Sequence, residues 1–199
     1  MNKIILIGGG SGAGKTTIAQ LIKKAKNDVT IISLDNYCIS HDELSLEERK
    51  KLNFDHPDSY DGKRASEDVK RLKNNESVAI PIYDFSIHAA KKEKQIINPH
   101  KYIIVDSIFS LYYPELLSLA DYKIYISVDD KTRLKRRSER DLMYRGRSKE
   151  QTLWQWQTTV LPMHQKYIEP TKKNADYIFD NNEQKNINEI DVLEILQKI

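Results

Sequence analysis

Short runs of apolar and β-branched residues alternate along the chain with stretches in which apolar positions recur at helical spacing. Five runs read as strands: Lys3 to Ile7, Val29 to Leu34, Tyr102 to Val105, Tyr122 to Val128 and Tyr177 to Phe179. Several are nearly continuous in apolar residues, which is the pattern of a strand covered on both faces. After the first, Ile18, Leu21, Ile22 and Ala25 fall at i, i+3, i+4 and i+7, one stripe to lay against a sheet. A later helix places Leu153, Trp156, Val160 and Met163 on one face, and a last one carries Ile190, Leu193 and Leu196. Strands alternating with helices in this way predict an α/β fold, a five-stranded parallel sheet flanked by helices.

The interval Asp35 to His100 is too long for a simple crossover, yet it holds a helical pattern (Ala65, Val69, Leu72) and a strand-like run, Val78 to Tyr83. It predicts an inserted substrate-binding subregion over about residues 36–100, emerging beyond the carboxyl ends of the strands, where ligands of open α/β sheets bind. No repeat, low-complexity tract or Pro/Gly-rich linker interrupts the chain, and 199 residues set against about 150 per domain give one expected domain over 1–199. A composition of 39% hydrophobic and 31% charged residues supports a packed core and excludes a disordered chain. Thirty-two basic against twenty-nine acidic residues leave +3, too little for bulk charge to imply a nucleic-acid or membrane-surface protein. The single cysteine, Cys38, cannot close an intrachain disulfide, which fits a reducing cytoplasm. No apolar run approaches the roughly 20 residues that span a bilayer, and Ile4 to Ile7 stops at three glycines rather than forming a signal-peptide core. A cytoplasmic protein without membrane or nucleic-acid partners is expected.

Gly9-Gly10-Ser11-Gly12-Ala13-Gly14-Lys15-Thr16 fits G-x-x-x-x-G-K-[ST], directly after a strand and before an amphipathic helix, with Thr17 next in line. Glycines allow a tight turn in which successive N–H groups and the positive end of the helix converge on phosphate oxygens. Lys15 then reaches the β- and γ-phosphates of ATP or GTP, and the Thr16 hydroxyl is placed to ligate Mg²⁺. This predicts a P-loop NTPase. Asp106, at the end of Ile103-Ile104-Val105, reads as a Walker B carboxylate for the metal or as a strand-end turn residue. Ser107 follows it where ATPase motors carry a water-activating glutamate, which speaks against a hydrolase. Asp35, at the tip of the second strand beside the loop, reads as a base for an attacking hydroxyl and a member of the metal shell, or as an ordinary turn or cap residue. Arg133, Lys135, Arg136, Arg137, Arg140, Arg145 and Arg147 crowd the segment Thr132 to Arg147. Three readings stand: a nucleic-acid patch, a helical lid over about residues 130–150 whose arginines meet transferring phosphate, and a solvated helix face. Arg145-Gly146-Arg147 suggests a mobile turn that closes on phosphate. Tyr37, Tyr60 and Tyr83 bring aromatic faces with polar tips to the insertion.

These segments together resemble the uridine (uridine–cytidine) kinases, in the wider group with phosphoribulokinase and pantothenate kinase. The resemblance is carried by GGGSGAGKTT (Gly8 to Thr17), SLDNY (Ser33 to Tyr37), NFDHPDSYD (Asn53 to Asp61), PIYDFSIH (Pro81 to His88), and RDLMYRGRS (Arg140 to Ser148) running on to PTKKNAD (Pro170 to Asp176). It implies that Asp35 is the catalytic base toward a nucleoside 5′-hydroxyl. It implies further that Asp55 holds the ribose 2′- and 3′-hydroxyls with Phe54 as neighbour, and that Tyr83 and His88 read the pyrimidine edge. Arg140 and Gln155 match further pocket residues, and Arg145 and Arg147 match lid arginines. Such relatives form homo-oligomers. Three positions depart from the pattern: Asp106-Ser107 replaces glutamate-glycine, Cys38 replaces a tyrosine three residues after the base, and Ala89-Ala90 replaces an arginine after the pocket histidine.

The expectation is a nucleoside kinase moving the γ-phosphoryl group of ATP or GTP to uridine or cytidine with Mg²⁺. The rivals are a kinase of the same fold for nicotinamide riboside or a sugar phosphate, and a nucleotide-dependent regulator or nucleic-acid-binding protein. No Asn-Lys-x-Asp guanine-reading sequence supports a GTPase switch.

Overall fold

The structure is a computed structural model and describes residues 1–182 together with Ile195 and Gln197. The expected last helix, with Ile190, Leu193 and Leu196, lies outside the described residues. In chain order the elements are β1 (Lys3–Gly9), α1 (Lys15–Ala25), β2 (Val29–Ser33), α2 (Leu46–Arg49), α3 (Gly62–Lys73), β3 (Val78–Asp84), β4 (Ala89–Ile97), β5 (Tyr102–Asp106), α4 (Pro114–Leu119), β6 (Tyr122–Ser127), α5 (Asp130–Tyr144), α6 (Lys149–Gln155) and β7 (Tyr177–Asp180).

Five strands form one parallel sheet in the order β2-β5-β1-β6-β7. Alternate residues of β1 serve opposite faces: Ile5 and Ile7 pack with Ile18, Ala19 and Ile22 of α1, while Ile4 and Leu6 join Ala65, Val69 and Leu72 of α3. Coverage on both sides explains why these strands lack polar alternation. The register sets Ile7 beside Asp106 and Asp106 beside Ser33. The chain therefore leaves β1, β2 and β5 at one edge, at the point where the connections diverge from the central strand, which is where α/β sheets bind ligands.

Two helical stripes differ from expectation. In α1 the buried residues are Lys15, Ile18, Ala19 and Ile22, while Leu21 is half-buried and Ala25 is exposed. After α6 the helix runs on through π turns at Trp156–Val160 and His164–Ile168. The wider π turns rotate the face, so every fourth residue, Thr152, Trp156, Val160, His164 and Ile168, is buried. Leu153 is 44% exposed and Met163 half-buried, contrary to the helical stripe inferred from them.

The inserted segment contains α3 and an antiparallel hairpin, β3 with β4, bulged between Pro81 and Tyr83. Only β3 was expected. Residues 91–96 of β4 are exposed, and their run Lys-Lys-Glu-Lys-Gln-Ile carries no alternation that a half-buried strand would show. Lysines along such an edge also discourage pairing with another chain. Among the described residues no helix is long and apolar enough to cross a membrane.

Candidate active site

Residues 10–14 form the turn between β1 and α1, with the Ala13 N–H donating to the Gly10 carbonyl at 3.1 Å and the Lys15 ammonium to the same carbonyl at 3.1 Å. Lys15 is buried, and that burial lowers its pKa against the opposing pull of Asp106 and Asp35. From behind, α5 holds the loop. The Arg137 guanidinium donates to the Ser11 hydroxyl at 2.7 Å, and Arg133 reaches the Ser11 carbonyl at 3.5 Å. Gly12 adopts φ +81, and a Cβ there would stand 2.4 Å from the Arg133 carbonyl oxygen. Gly12→Ala is accordingly expected to cost about 2–4 kcal/mol, from left-handed strain plus overpacking, read as a lower urea midpoint at unchanged m-value.

Asp106 ends β5 and accepts from the Thr16 hydroxyl at 2.5 Å. Burial raises its pKa, and Lys15 and Thr16 draw it back. Asp35 follows β2 in a single 3₁₀ turn, Leu34–Tyr37, its N–H donating to the Ser33 hydroxyl at 3.3 Å. Its charge acts on Lys15 and Asp106 on one side and on Cys38, Tyr60 and Tyr83 on the other. Among the described residues no three His, Cys, Asp or Glu side chains converge as a metal cage. What the edge offers is a hydroxyl and carboxylate oxygens. That set fits a small hard cation, which Thr16 and Asp106 could hold with Asp35 nearby.

Beside Asp35 the insertion builds an aromatic recess. Phe54 stacks on His88 with ring centroids 4.8 Å apart and an interplanar angle of 16°. Tyr83 meets Phe54 and Phe85 edge-on at 6.4 and 5.2 Å. His88 is buried with φ 49. Burial, then Arg147 and Arg145, lower its pKa, so the ring is neutral at pH 7. The buried Tyr83 hydroxyl has no hydrogen-bond partner of good geometry and lies beside the Cys38 thiol. Asp55 accepts from the Thr159 hydroxyl at 3.1 Å. Recess and loop share one cleft, open to solvent, bordered by Ser11, Lys15, Thr16, Asp35, Asp106, Phe54, Asp55, Tyr83, His88, Arg140, Arg145, Arg147 and Gln155. Of the other loop residues, Gly9 ends β1 against Ile126, and Thr17 is exposed on the first turn of α1 away from the cleft.

The sequence model of the phosphoribulokinase/uridine kinase family matches residues 4–188. The chain belongs to the phosphoribulokinase/uridine kinase family. It is 42% identical over 186 residues to a uridine kinase of Chlamydia pneumoniae, covering 92% of this chain and 84% of that one. To a uridine kinase of Macrococcus caseolyticus it is 41% identical over 182 residues, covering 89% and 88%. Phosphoribulokinase from Rhodobacter spheroides superimposes with a TM-score of 0.65 at 10% identity, over 90% of this chain and 70% of that one, a likeness of fold.

The segment expected as a lid, about residues 130–150, holds α5 and the turn through Gly146 at φ 60, and α6 begins only at its end. The arginines do not form an open face. Arg133 is 1% exposed and stacks over Trp156 at 4.9 Å, and Arg137 is buried on Ser11 and Gln155. The solvated-face reading therefore fails for both: one face of α5 lies on the loop. Arg145 stacks over Phe85 at 4.3 Å, joining the turn after α5 to the loop after β3, and burial with Arg140 nearby lowers its pKa to about 10. Thr159 and His164 hold site residues in place though their sequence positions gave no signal, and Asp141 does so from within the quoted RDLMYRGRS segment.

The departures from the family pattern also find their places. Ser107 is buried and accepts from the Phe109 N–H at 3.0 Å, the Ala90 N–H donates to the Ser40 hydroxyl at 2.7 Å, and Cys38 is buried at the cleft wall. Burial, then Asp35, raises the Cys38 pKa, so it stays a thiol.

His164 is packed behind the loop, its Nε2 3.3 Å from the Glu169 carboxylate that also accepts from the Tyr125 hydroxyl at 2.6 Å. Burial, then Arg133, lowers its pKa to about 4, below the 6.5 of a free ring. Between those values the unfolded chain binds more protons, so stability is full above about pH 6.5 and falls as pH drops toward 4, by on the order of 3 kcal/mol. Urea midpoints at pH 7 and pH 4.5 should separate more in the wild type than in His164→Gln.

Proposed function

We propose that this chain is a uridine/cytidine kinase, transferring the γ-phosphoryl group of ATP or GTP to the nucleoside 5′-hydroxyl. One observation carries the reading: Asp35 stands in a single cleft with a phosphate loop on one side and an aromatic, carboxylate-bearing recess on the other. Relatives named uridine kinase at 41–42% identity support it.

Asp55 accepts hydrogen bonds from the ribose 2′- and 3′-hydroxyls, its carboxylate steered by Thr159. Tyr83 and His88 read the pyrimidine edge, Phe54 backs them, and Arg140 and Gln155 complete the wall. Asp35 takes the 5′-hydroxyl proton as the new O–P bond forms and the bond to the β-phosphate oxygen breaks. Lys15, Arg145 and Arg147 meet the charge on the equatorial oxygens. Thr16 and Asp106 would hold Mg²⁺, which would supply positive charge against the donor's phosphates. The Arg145–Phe85 contact ties the arginine turn to the rim of the recess, from which further closure over the donor would exclude water.

An acceptor panel with ATP and then GTP, followed by nucleoside diphosphate release, tests this. Uridine and cytidine should turn over, nicotinamide riboside and sugar phosphates should not, and 2′-deoxyuridine should lose on the order of 10²-fold in kcat/KM because one Asp55 bond is unmet. Turnover confined to one of the other acceptors would replace the substrate assignment and keep the fold of the chemistry.

A further inference from the structure

One acidic side chain in the lid segment is enclosed by the arginines that border the cleft. Asp141 is 0% exposed, and its carboxylate is surrounded by four guanidinium groups. Oδ1 accepts twice from Arg140, at 2.9 and 2.7 Å, and lies 3.8 Å from Arg145 Nε. Oδ2 accepts from Arg147 at 3.3 Å and lies 3.5 Å from Arg137 Nε. The backbone joins in, because the Asp141 carbonyl accepts from the N–H groups of both Arg145 and Arg147, at 3.1 and 3.2 Å. The whole Arg-Gly-Arg turn is thus folded around this residue.

All four arginines border the cleft, while Asp141 lies behind them. Four positive forks around one carboxylate leave a net charge of about +3, offset on the cleft side by Asp55 acting on Arg137 and Asp35 acting on Arg145, and open to a polyanion from the front. We propose that Asp141 is a positioning residue that fixes the spacing and aim of the lid arginines toward the transferring phosphoryl group. The proposal rests on the phosphoryl-transfer reading of the cleft. Its physical content is a split in sign. Removing the carboxylate charge makes the lid more positive, which favours polyphosphate binding, but frees the forks, and displacement of about 1 Å at a reacting centre costs about 10²-fold in rate. A residue that only held the lid together would weaken binding and turnover alike.

The test uses the full chain and two variants, Asp141→Asn and Asp141→Glu, with calorimetric affinity for the non-hydrolysable ATP analogue AMP-PNP and kcat on the acceptor the panel selects. For Asp141→Asn, kcat should fall about 30- to 100-fold while AMP-PNP binds as well as to the wild type or up to about tenfold tighter, with a steeper salt dependence. Asp141→Glu keeps the charge one methylene away and should recover part of kcat at unchanged affinity. Parallel losses of affinity and kcat, an Asn variant within about threefold of wild-type kcat, or a Glu variant as slow as the Asn variant would overturn the proposal. If Asp141→Asn does not fold, the Glu variant decides: lower kcat at unchanged affinity supports it, and wild-type kcat or a joint loss overturns it. If the wild type binds AMP-PNP yet phosphorylates nothing on the panel, the functional reading fails separately, and affinity alone decides here, with weakened binding by Asp141→Asn as the overturning result.

Discussion

Asp35→Asn is expected to lower kcat by about 10²- to 10⁴-fold while ATP affinity stays within a few-fold of wild type. The amide keeps the size and one carbonyl oxygen but cannot accept the proton of the attacking alcohol. Donor binding is expected to rest on the loop N–H groups and Lys15, and the substitution removes one of two carboxylate charges acting on Lys15 while leaving Asp106 in place. The 3₁₀ turn is held by the Asp35 backbone N–H rather than by its side chain, so the local fold persists. Steady-state kinetics with saturating uridine, paired with calorimetric ATP titration, reads both quantities. Near-normal turnover would remove Asp35 from its role as base.

Lys15→Met should be at least as costly to turnover, on the order of 10²- to 10³-fold or more in kcat, and should also weaken the donor. Lys15 is the buried cation of the loop, and Asp106 and Asp35 act on it across the cleft. Methionine fills the volume but leaves those carboxylates without their cation and the β- and γ-phosphates without a charged donor. The two variants therefore part in a defined way: Asp35→Asn acts on kcat alone, and Lys15→Met acts on kcat and on ATP affinity together. The same titrations resolve them, and equal ATP affinity in Lys15→Met and wild type would contradict the role given to the ammonium.

Much of this architecture was legible because its signals are local. The strand, glycine turn and helix around Lys15 lie in one stretch of 23 residues, Lys3–Ala25, where hydrophobic period and motif coincide. The inserted segment was legible from the long interval between strands, but the roles of Phe54, Asp55 and His88 only through resemblance, since these residues and Tyr83 meet only after the insertion folds. Other features left no local trace. β4 is a solvated hairpin strand whose lysines and glutamate look like a loop. The helix after α6 keeps its buried face through two π turns, which a 3.6-residue period does not anticipate. Asp141 stands in a row of arginines, where a surface ion pair at i, i+4 is the ordinary expectation, and only the return of the chain at Arg145 and Arg147 encloses it. Thr159 gains its meaning from Asp55, which is 104 residues away.

The most direct test of a cleft that joins phosphate loop to acceptor is the identity of the bond it makes. Uridine and ATP should be incubated with the protein and the product examined by proton-coupled phosphorus NMR. The account predicts a monophosphate whose phosphorus couples to the two 5′-methylene protons, with nucleoside diphosphate formed in equal amount. Phosphorus appearing as inorganic phosphate, or coupled to a single ring proton of the ribose, would contradict it.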